Sequence, residues 1–185
     1  MSNIKREHNL KIREEESEWI ERILRGKKQD FEMLVKRYQR LVFSQVFQMV
    51  KDMEIAEEIT QEVFLSSFTA LSSFIPGSSY KSWVLKIAYH RSLDYFRKSK
   101  IMFDENYKLK NLVFQGNIED ETLNRDFLSH ILSKINLEAQ ILLHLKYVLD
   151  LSYDEMAHLL DDSAGNIKIK IHRIKKYLKK KMKDE

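Results

Sequence analysis

Cysteine is absent from this sequence of 185 residues, and proline and glycine are scarce, at one and four residues. Without cysteine the chain can form no disulfide, no thiolate nucleophile and no cysteine-ligated zinc or iron–sulfur site, and a reducing cytoplasm fits this composition. A fold rich in tight turns, or one with phosphate-binding glycine loops, would need more glycine and proline. The composition therefore indicates a helical protein.

Long apolar runs are missing as well. No uninterrupted apolar stretch approaches the roughly 18 to 20 residues of a membrane-spanning helix, and the charged start, Met1 to Glu18, contains no apolar signal-peptide segment. Charged residues make up 32% and hydrophobic residues 43% of the chain, which is too apolar for disorder and too polar for a bilayer. We therefore expect a soluble globular protein in the cytoplasm.

The positive charge is concentrated at one end of the chain. Residues 163–185 carry nine Lys or Arg against two acidic residues, whereas residues 1–162 carry 23 against 26, so the formal charges are +7 and −3. A concentrated basic end is typical of a protein that binds a polyanion, most often nucleic acid. The alternative is a solvated, lysine-rich helix end, and charge alone does not separate the two.

The spacing of apolar residues predicts an all-α protein. A short helix and a long helix are expected over residues 18–50, a third over 53–71, and a fourth from Trp83 to about Lys100, after a loop that holds the only proline. Four more helices are expected between residues 123 and 182. The predicted layout has four parts: an N-terminal extension at 1–16, a helical domain at 17–100, a flexible linker at 101–124, and a second helical domain at 125–185.

The second domain has the outline of a helix-turn-helix. Ser152 and Glu155 form a capping box that begins one short helix, and Ser163 can begin the next after Asp161 and Asp162. Isoleucines at positions 167, 171 and 174 predict a buried stripe on the second helix. The basic residues between them are expected to face outward, where phosphates and base edges could be contacted: Lys168, Lys170, Arg173 and Lys175. The alternative is an ordinary helical hairpin coated with lysine.

Aromatic and basic residues alternate in the fourth predicted helix. Lys86, His90, Asp94 and Arg97 share one face, and Leu85, Tyr89 and Phe96 lie towards another. Stacking rings next to cations suit single-stranded nucleic acid. The alternative is a core-facing aromatic stripe with solvated charges, and we interpret Trp83 as a core residue.

Acidic residues cluster on the third predicted helix, at Glu54, Glu57, Glu58 and Glu62, with Gln61 among them. Glutamates on one helix face are most often solvated, and their best functional interpretation is a protein-docking face. An enzyme that uses Glu54, Glu58, Glu155 and His158 is a distant alternative. A bundle metal site needs two Glu-x-x-His pairs and further glutamates, whereas Glu155 and His158 form a single pair.

Four segments, in order, resemble the extracytoplasmic-function (ECF) group of sigma factors of bacterial RNA polymerase. FEMLVKRYQRLV at 31–42 resembles the opening helix of sigma region 2, and EIAEEITQEVFLSSF at 54–68 resembles its polymerase-docking segment. SWVLKIAYHRSLDYFRK at 82–98 is similar to the segment for the promoter −10 element, and residues 151–177 are similar to the region 4 helix-turn-helix. The chain departs from the family where His90 replaces the usual Asn, and where Asp161 and Asp162 replace Gly and an apolar residue.

The resemblance implies a promoter-specificity subunit without cofactor, metal or small-molecule substrate, because core polymerase makes the phosphodiester bonds. The implied partners are the clamp helices and flap of core RNA polymerase, double- and single-stranded promoter DNA, and an anti-sigma factor, which in many members is membrane-bound. The implied polymerase-binding residues are Glu54, Glu57, Glu58, Gln61, Glu62 and Phe64. The implied −10 residues are Phe74, Ser78, Ser79, Tyr80, Lys81, Lys86, His90, Asp94 and Arg97. The implied −35 residues are Ser163, Asn166, Lys168, Lys170, Arg173 and Lys175. The main rival is a helix-turn-helix regulator that acts without core polymerase.

Overall fold

The computed structural model describes residues 2–98 and 135–184, and the predicted linker at 101–124 lies outside them, as does nearly all of the helix expected at 123–135. The described residues are helical and contain no strand, which confirms the all-α prediction for this part of the chain. The helices are α1 (Ser2–Leu24), α2 (Phe31–Val50), α3 (Met53–Thr69), α4 (Tyr80–Lys98), α5 (Leu137–Leu143), α6 (Tyr153–Leu160) and α7 (Ala164–Asp184). Short 3-10 turns at Lys28–Asp30 and Leu71–Ser73 and a π-helical turn at His144–Val148 join them.

The contacts divide the chain into two compact units. The first consists of residues 1–46 and 52–93, and the second of residues 47–51 and 94–185. Among the described residues, no helix is both long and apolar enough to span a membrane.

Local signals set the helix ends of the first unit. Gly26 has a φ of 102°, which glycine adopts readily because it has no side chain. It ends α1 at the predicted interruption. Asp52 begins α3, because its side chain accepts a hydrogen bond from the backbone N–H of Ile55 at 3.0 Å. The core between these helices is apolar, and several of its residues are completely buried: Leu34, Val42, Val46, Ala56, Val63, Val84 and Leu85.

Helix α1 begins at Ser2, earlier than the sequence predicts, and two of its glutamates pair with α2. Glu16 is buried, and its carboxylate accepts a hydrogen bond from the Tyr38 hydroxyl. Arg37 donates to Glu15 at 2.7 Å and lies over the ring of Trp19. Burial raises the pKa of Glu16 above its ordinary value, although the bond from Tyr38 and the charge of Arg37 act in the opposite direction. Residues 2–16 of the predicted N-terminal extension therefore belong to α1 and to the first unit.

The second unit has the predicted helix-turn-helix outline. Ser152 and Glu155 form the capping box that begins α6, and α6 ends where Asp161 takes the left-handed conformation, with φ 53° and ψ 42°. Helix α7 then packs through Ile167 and Ile171, which are buried. The preceding elements of this unit supply further buried residues: Leu145, Leu149, Leu151, Met156 and Leu159.

Candidate functional site

Helix α3 presents a continuous acidic surface. Glu54, Glu57, Glu58, Gln61 and Glu62, which we call the acidic surface, are all exposed. None of them takes part in a salt bridge with another described residue. Phe64 differs from them, because it is only 7% exposed and packs edge-on against Phe31 with ring centroids 6.5 Å apart. The acidic surface is therefore open to a partner, and Phe64 acts from within the core beneath it.

An apolar groove runs beside the acidic surface, between the start of α2 and the middle of α3. Its volume is about 770 Å³, and its apolar lining is supplied by Phe31, Val35, Phe64, Leu65 and Phe68. Leu65 is 69% exposed. Leu65 is not among the residues predicted from the sequence, although a leucine that follows Glu58, Gln61 and Glu62 at helical spacing falls on the polar face and not on the buried stripe. This side of the first unit thus combines charge with accessible apolar area.

The loop before α4 is more deeply packed than predicted. Tyr80 is completely buried and Phe74 is 8% exposed, and their ring centroids lie 5.9 Å apart. Tyr80 also packs against Tyr38, and its hydroxyl donates to Ser67 Oγ at 3.2 Å. Two of the predicted −10 residues, Phe74 and Tyr80, are therefore corrected: they hold the loop onto the core and are not accessible to DNA.

The same packing moves the start of α4. The sequence placed it at Ser82 or Trp83, but the helix begins at Tyr80, and Ser79 Oγ accepts the backbone N–H of Ser82 at 3.3 Å. Ser79 thus serves as a cap, while Ser78 at the loop tip is exposed. Trp83 packs against Phe74, with centroids 5.5 Å apart, but it is only half-buried, so it lies at the edge of the core and not within it as predicted.

The remaining predicted −10 residues lie along α4. His90 and Arg97 are exposed, and Lys81, Lys86 and Asp94 are half-buried. Arg97 forms an ion pair with Asp94 at 3.2 Å, a surface pair that contributes little to stability.

Arg91, on another side of the same helix, donates to Ser66 Oγ at 2.8 Å. Because Ser66 lies on α3, this bond connects the helix of the acidic surface to the helix of the predicted −10 residues.

Helix α7 carries the basic surface of the second unit. Ser163 begins the helix by accepting the backbone N–H of Asn166 at 3.1 Å. Lys168, Arg173 and Lys175 are exposed, as predicted from the buried isoleucine stripe. The Lys175 ammonium lies 5.1 Å from the ring centroid of Tyr147, an exposed cation–π contact.

Ile169 is also exposed, at 52%, on the side of α7 opposite the buried stripe. Sequence analysis assigned it no role, although the 3.6-residue period places position 169 between the basic flanks.

Lys170 and Asn166 differ from the other polar residues of α7, because Asp162 binds both. The Lys170 ammonium lies 3.0 Å from Glu138 Oε1 and 3.2 Å from Asp162 Oδ2. The side-chain amide of Asn166 donates to both carboxylate oxygens of Asp162, at 2.8 and 2.9 Å. Bonds from Asn166, Ser163 and Lys170 lower the pKa of Asp162, and bonds to Glu138 and Asp162 raise the pKa of Lys170. The Lys170 side chain is therefore 38% exposed, but its ammonium is paired with two carboxylates that the sequence did not predict.

The residues of the enzymatic alternative are divided between the two units, with Glu54 and Glu58 in the first and Glu155 and His158 in the second. Glu155 is engaged in the capping box of α6, and Glu54 and Glu58 belong to the acidic surface in the first unit. Within the ranges that the structure describes, no three His, Cys, Asp or Glu side chains are grouped so that they could hold a metal ion. The surfaces described above are suited to binding.

Comparisons with known proteins give a consistent result. Residues 34–101 match the Sigma-70 region 2 family. The RNA polymerase sigma factor YlaC of Bacillus subtilis (strain 168) is 27% identical over 162 residues, which cover 82% of this chain and 91% of that protein. The ECF RNA polymerase sigma-E factor of Escherichia coli (strain K12) is 25% identical over 176 residues, with 88% and 92% covered.

Solved structures share the fold. CnrH, solved in complex with the cytosolic domain of CnrY, has a TM-score of 0.65 and 16% identity, and covers 91% of this chain and 97% of that one. The sigma factor RpoE, solved in complex with the anti-sigma factor NepR from Bartonella quintana, has a TM-score of 0.67 and 17% identity, with 83% and 97% covered.

Proposed function

Because the chain belongs to the sigma-70 family, as a member of its ECF group, we infer that it binds core RNA polymerase and directs transcription initiation at a specific set of promoters. One observation most directly supports separate binding surfaces for polymerase and for DNA. The segment that matches sigma region 2 contains an exposed acidic surface without internal ion pairs among the described residues, and the basic α7 lies in the other unit. Opposite charges thus serve two different partners.

We propose that the acidic surface and the adjacent apolar groove bind the clamp helices of core polymerase. Exposed carboxylates favour a basic partner and guide its approach, whereas accessible apolar area at Leu65 and Phe68 supplies affinity that salt does not screen. Gln61 lines the groove and also belongs to the acidic surface, so it joins the two.

The DNA-binding surfaces follow from the accessible side chains. For the −10 element we propose Ser78 at the loop tip together with Lys81, Lys86, His90, Asp94 and Arg97, with Ser79, Phe74 and Tyr80 holding the loop in place. For the −35 element we propose Lys168, Arg173 and Lys175 on α7, with Ser163 as the helix cap. Phosphate contacts position such a helix, and base contacts give it sequence preference.

We further propose that the chain catalyses no reaction and needs no cofactor, since core polymerase performs the chemistry. Its site of action is then the cytoplasm, where RNA polymerase works. An anti-sigma factor is the expected regulator, as for many members of the group.

The docking proposal is tested by reversing charge on the acidic surface. Glu58→Lys with Gln61→Ala should leave the helical circular dichroism spectrum unchanged, because both side chains are exposed, and should weaken binding to core RNA polymerase at least tenfold. The matched control is Glu18→Lys, the same charge change at an exposed position of α1. Unchanged core binding by the folded double variant would rule out the docking role.

Wild-type chain that binds promoter DNA but does not bind core polymerase would instead support the rival, a regulator that acts alone.

A further inference from the structure

An ion-pair network connects α7, the second helix of the helix-turn-helix, to two acidic residues outside it. Lys170 of α7 contacts Glu138 at the start of α5 and Asp162 in the α6–α7 turn, at 3.0 and 3.2 Å. Asp162 also accepts the backbone N–H of Ser163 at 2.7 Å and the amide of Asn166. We call Glu138, Asp162 and Lys170 the acidic clamp. Three separate elements therefore meet at one lysine.

The network changes what Lys170 can offer to DNA. A lysine contributes to DNA binding when its ammonium replaces counterions at a phosphate. Here two carboxylates already neutralise that ammonium, and both would lie close to any phosphate that approached it. By contrast, Lys168 and Arg173 are exposed and take part in no salt bridge with another described residue. The basic residues of α7 are thus not equivalent.

We propose that Asp162 and Glu138 compete with DNA phosphates for Lys170, so that Lys170 makes no phosphate contact in the wild-type complex and α7 binds through Lys168, Arg173 and Lys175. The inference rests on the proposed DNA-binding role of α7. The acidic clamp makes Asp162 and Glu138 residues that determine which cations reach the promoter.

We expect the acidic clamp to lower the affinity of α7 for DNA moderately. The side chains of Lys170, Glu138 and Asp162 are 38%, 64% and 23% exposed, and exposed ion pairs are individually weak. Releasing Lys170 should therefore strengthen DNA binding by several-fold, and not by orders of magnitude. The more specific signature is the salt dependence, because each new phosphate contact steepens the slope of log affinity against log salt by about 0.9.

The experiment is a mutant cycle on the full chain, read by fluorescence anisotropy with a labelled DNA duplex of mixed sequence at several salt concentrations. The four proteins are wild type, Lys170→Ala, Asp162→Asn with Glu138→Gln, and the triple variant. Asp162→Asn keeps an oxygen to accept the Ser163 N–H. A fifth protein, Glu138→Gln alone, removes one of the two carboxylates from Lys170 and leaves the start of α7 untouched. Circular dichroism checks that each variant is folded.

We expect Lys170→Ala to leave the wild-type slope unchanged, Asp162→Asn with Glu138→Gln to steepen it by about 0.9, and the triple variant to return to the wild-type slope. A slope that falls by about 0.9 in Lys170→Ala itself would overturn the proposal, because Lys170 would already contact a phosphate. A steeper slope that persists in the triple variant would also overturn it, because the triple variant has no ammonium at position 170 and the additional phosphate contact could not come from Lys170.

Failure of the clamp is distinguishable from failure of the proposed function. If Lys175→Ala weakens duplex binding while the cycle gives either contrary result, α7 binds DNA and only the clamp is wrong. If wild type binds no duplex at any salt concentration, the clamp and the DNA-binding role of α7 are both overturned, while binding to core RNA polymerase is tested separately by the acidic-surface variants.

Discussion

The two regions predicted to meet promoter DNA differ in where the structure places their most informative side chains. In the loop before α4 and the start of that helix, the aromatic residues Phe74 and Tyr80 lie in the core, and the accessible residues are small or charged. In α7, the predicted polar residues lie at or near the surface, but Asn166 and Lys170 are held by acidic residues. The sequence therefore did not show that the aromatic side chains are buried. For the charged and polar side chains of α7, it did not show which acidic residues bind them.

Each error has a physical cause. A large flat ring serves equally well to stack on a base or to fill a helical core, so composition does not distinguish the two uses. A lysine, in contrast, is almost never buried without a partner, so its presence indicates exposure. What its presence does not indicate is whether a carboxylate elsewhere in the chain neutralises it.

The largest effect that separates the two regions is expected at Tyr80. Because its ring is completely buried among Phe74, Tyr38 and Trp83, Tyr80→Ala should lower the free energy of unfolding by about 3–5 kcal/mol. Urea unfolding followed by circular dichroism measures this change.

The control for this prediction is Tyr80→Phe, which keeps the ring and loses only the hydrogen bond to Ser67, at a cost of about 1 kcal/mol. If Tyr80→Ala proved as stable as wild type but failed to open promoter DNA, Tyr80 would be a DNA contact. The conclusion that the aromatic residues of this region serve the core would then be wrong.

A second, smaller effect distinguishes the exposed cations of α7 from one another. Arg173→Ala should change the preference among −35 sequences by about 1–3 kcal/mol if its guanidinium reads a base, because the site then loses a paired contact. Lys175→Ala should weaken all sequences alike and lower the salt slope by about one.

Affinity for −35 variants at several salt concentrations checks both statements. The contact of Lys175 with the Tyr147 ring, at 5.1 Å, is exposed and too weak to withhold this lysine from DNA. If Arg173→Ala and Lys175→Ala changed the preference among −35 sequences equally, the assignment of Arg173 to a base contact and of Lys175 to a phosphate contact would be wrong.

Sequence reasoning succeeded where structure depends on neighbouring residues. The capping box at Ser152, the break at Gly26 and the end of α6 at Asp161 are all local, and each was predicted correctly. The isoleucine stripe of α7 likewise follows from periodicity within one helix, and Ile167 and Ile171 are buried.

It failed where the partner is distant in the chain. Glu16 and Tyr38 are 22 positions apart, and Glu138 and Lys170 are 32 positions apart. No helical period relates such positions, so the extent of α1 and the pairing of Lys170 required three-dimensional contacts. Tyr80 illustrates a third case, in which a local start signal was available at Ser79 but a second serine three residues later, Ser82, gave a competing one.

The smallest effect concerns Ile169, the exposed apolar residue at the outer face of α7. An aliphatic side chain on a helix in the major groove can contact the methyl group of thymine, which makes it a carrier of sequence preference without charge. Burying one methyl-sized group contributes about 0.8 kcal/mol, or roughly a fourfold change in affinity. Replacing each −35 thymine in turn by uracil removes only that methyl, so wild type should lose about fourfold at one position while Ile169→Ala loses nothing further there. The salt slope should be the same for both proteins, since no phosphate contact changes. If uracil substitution affected wild type and Ile169→Ala equally at every position, Ile169 would be a solvated side chain, and the preference of α7 would rest on its cations alone.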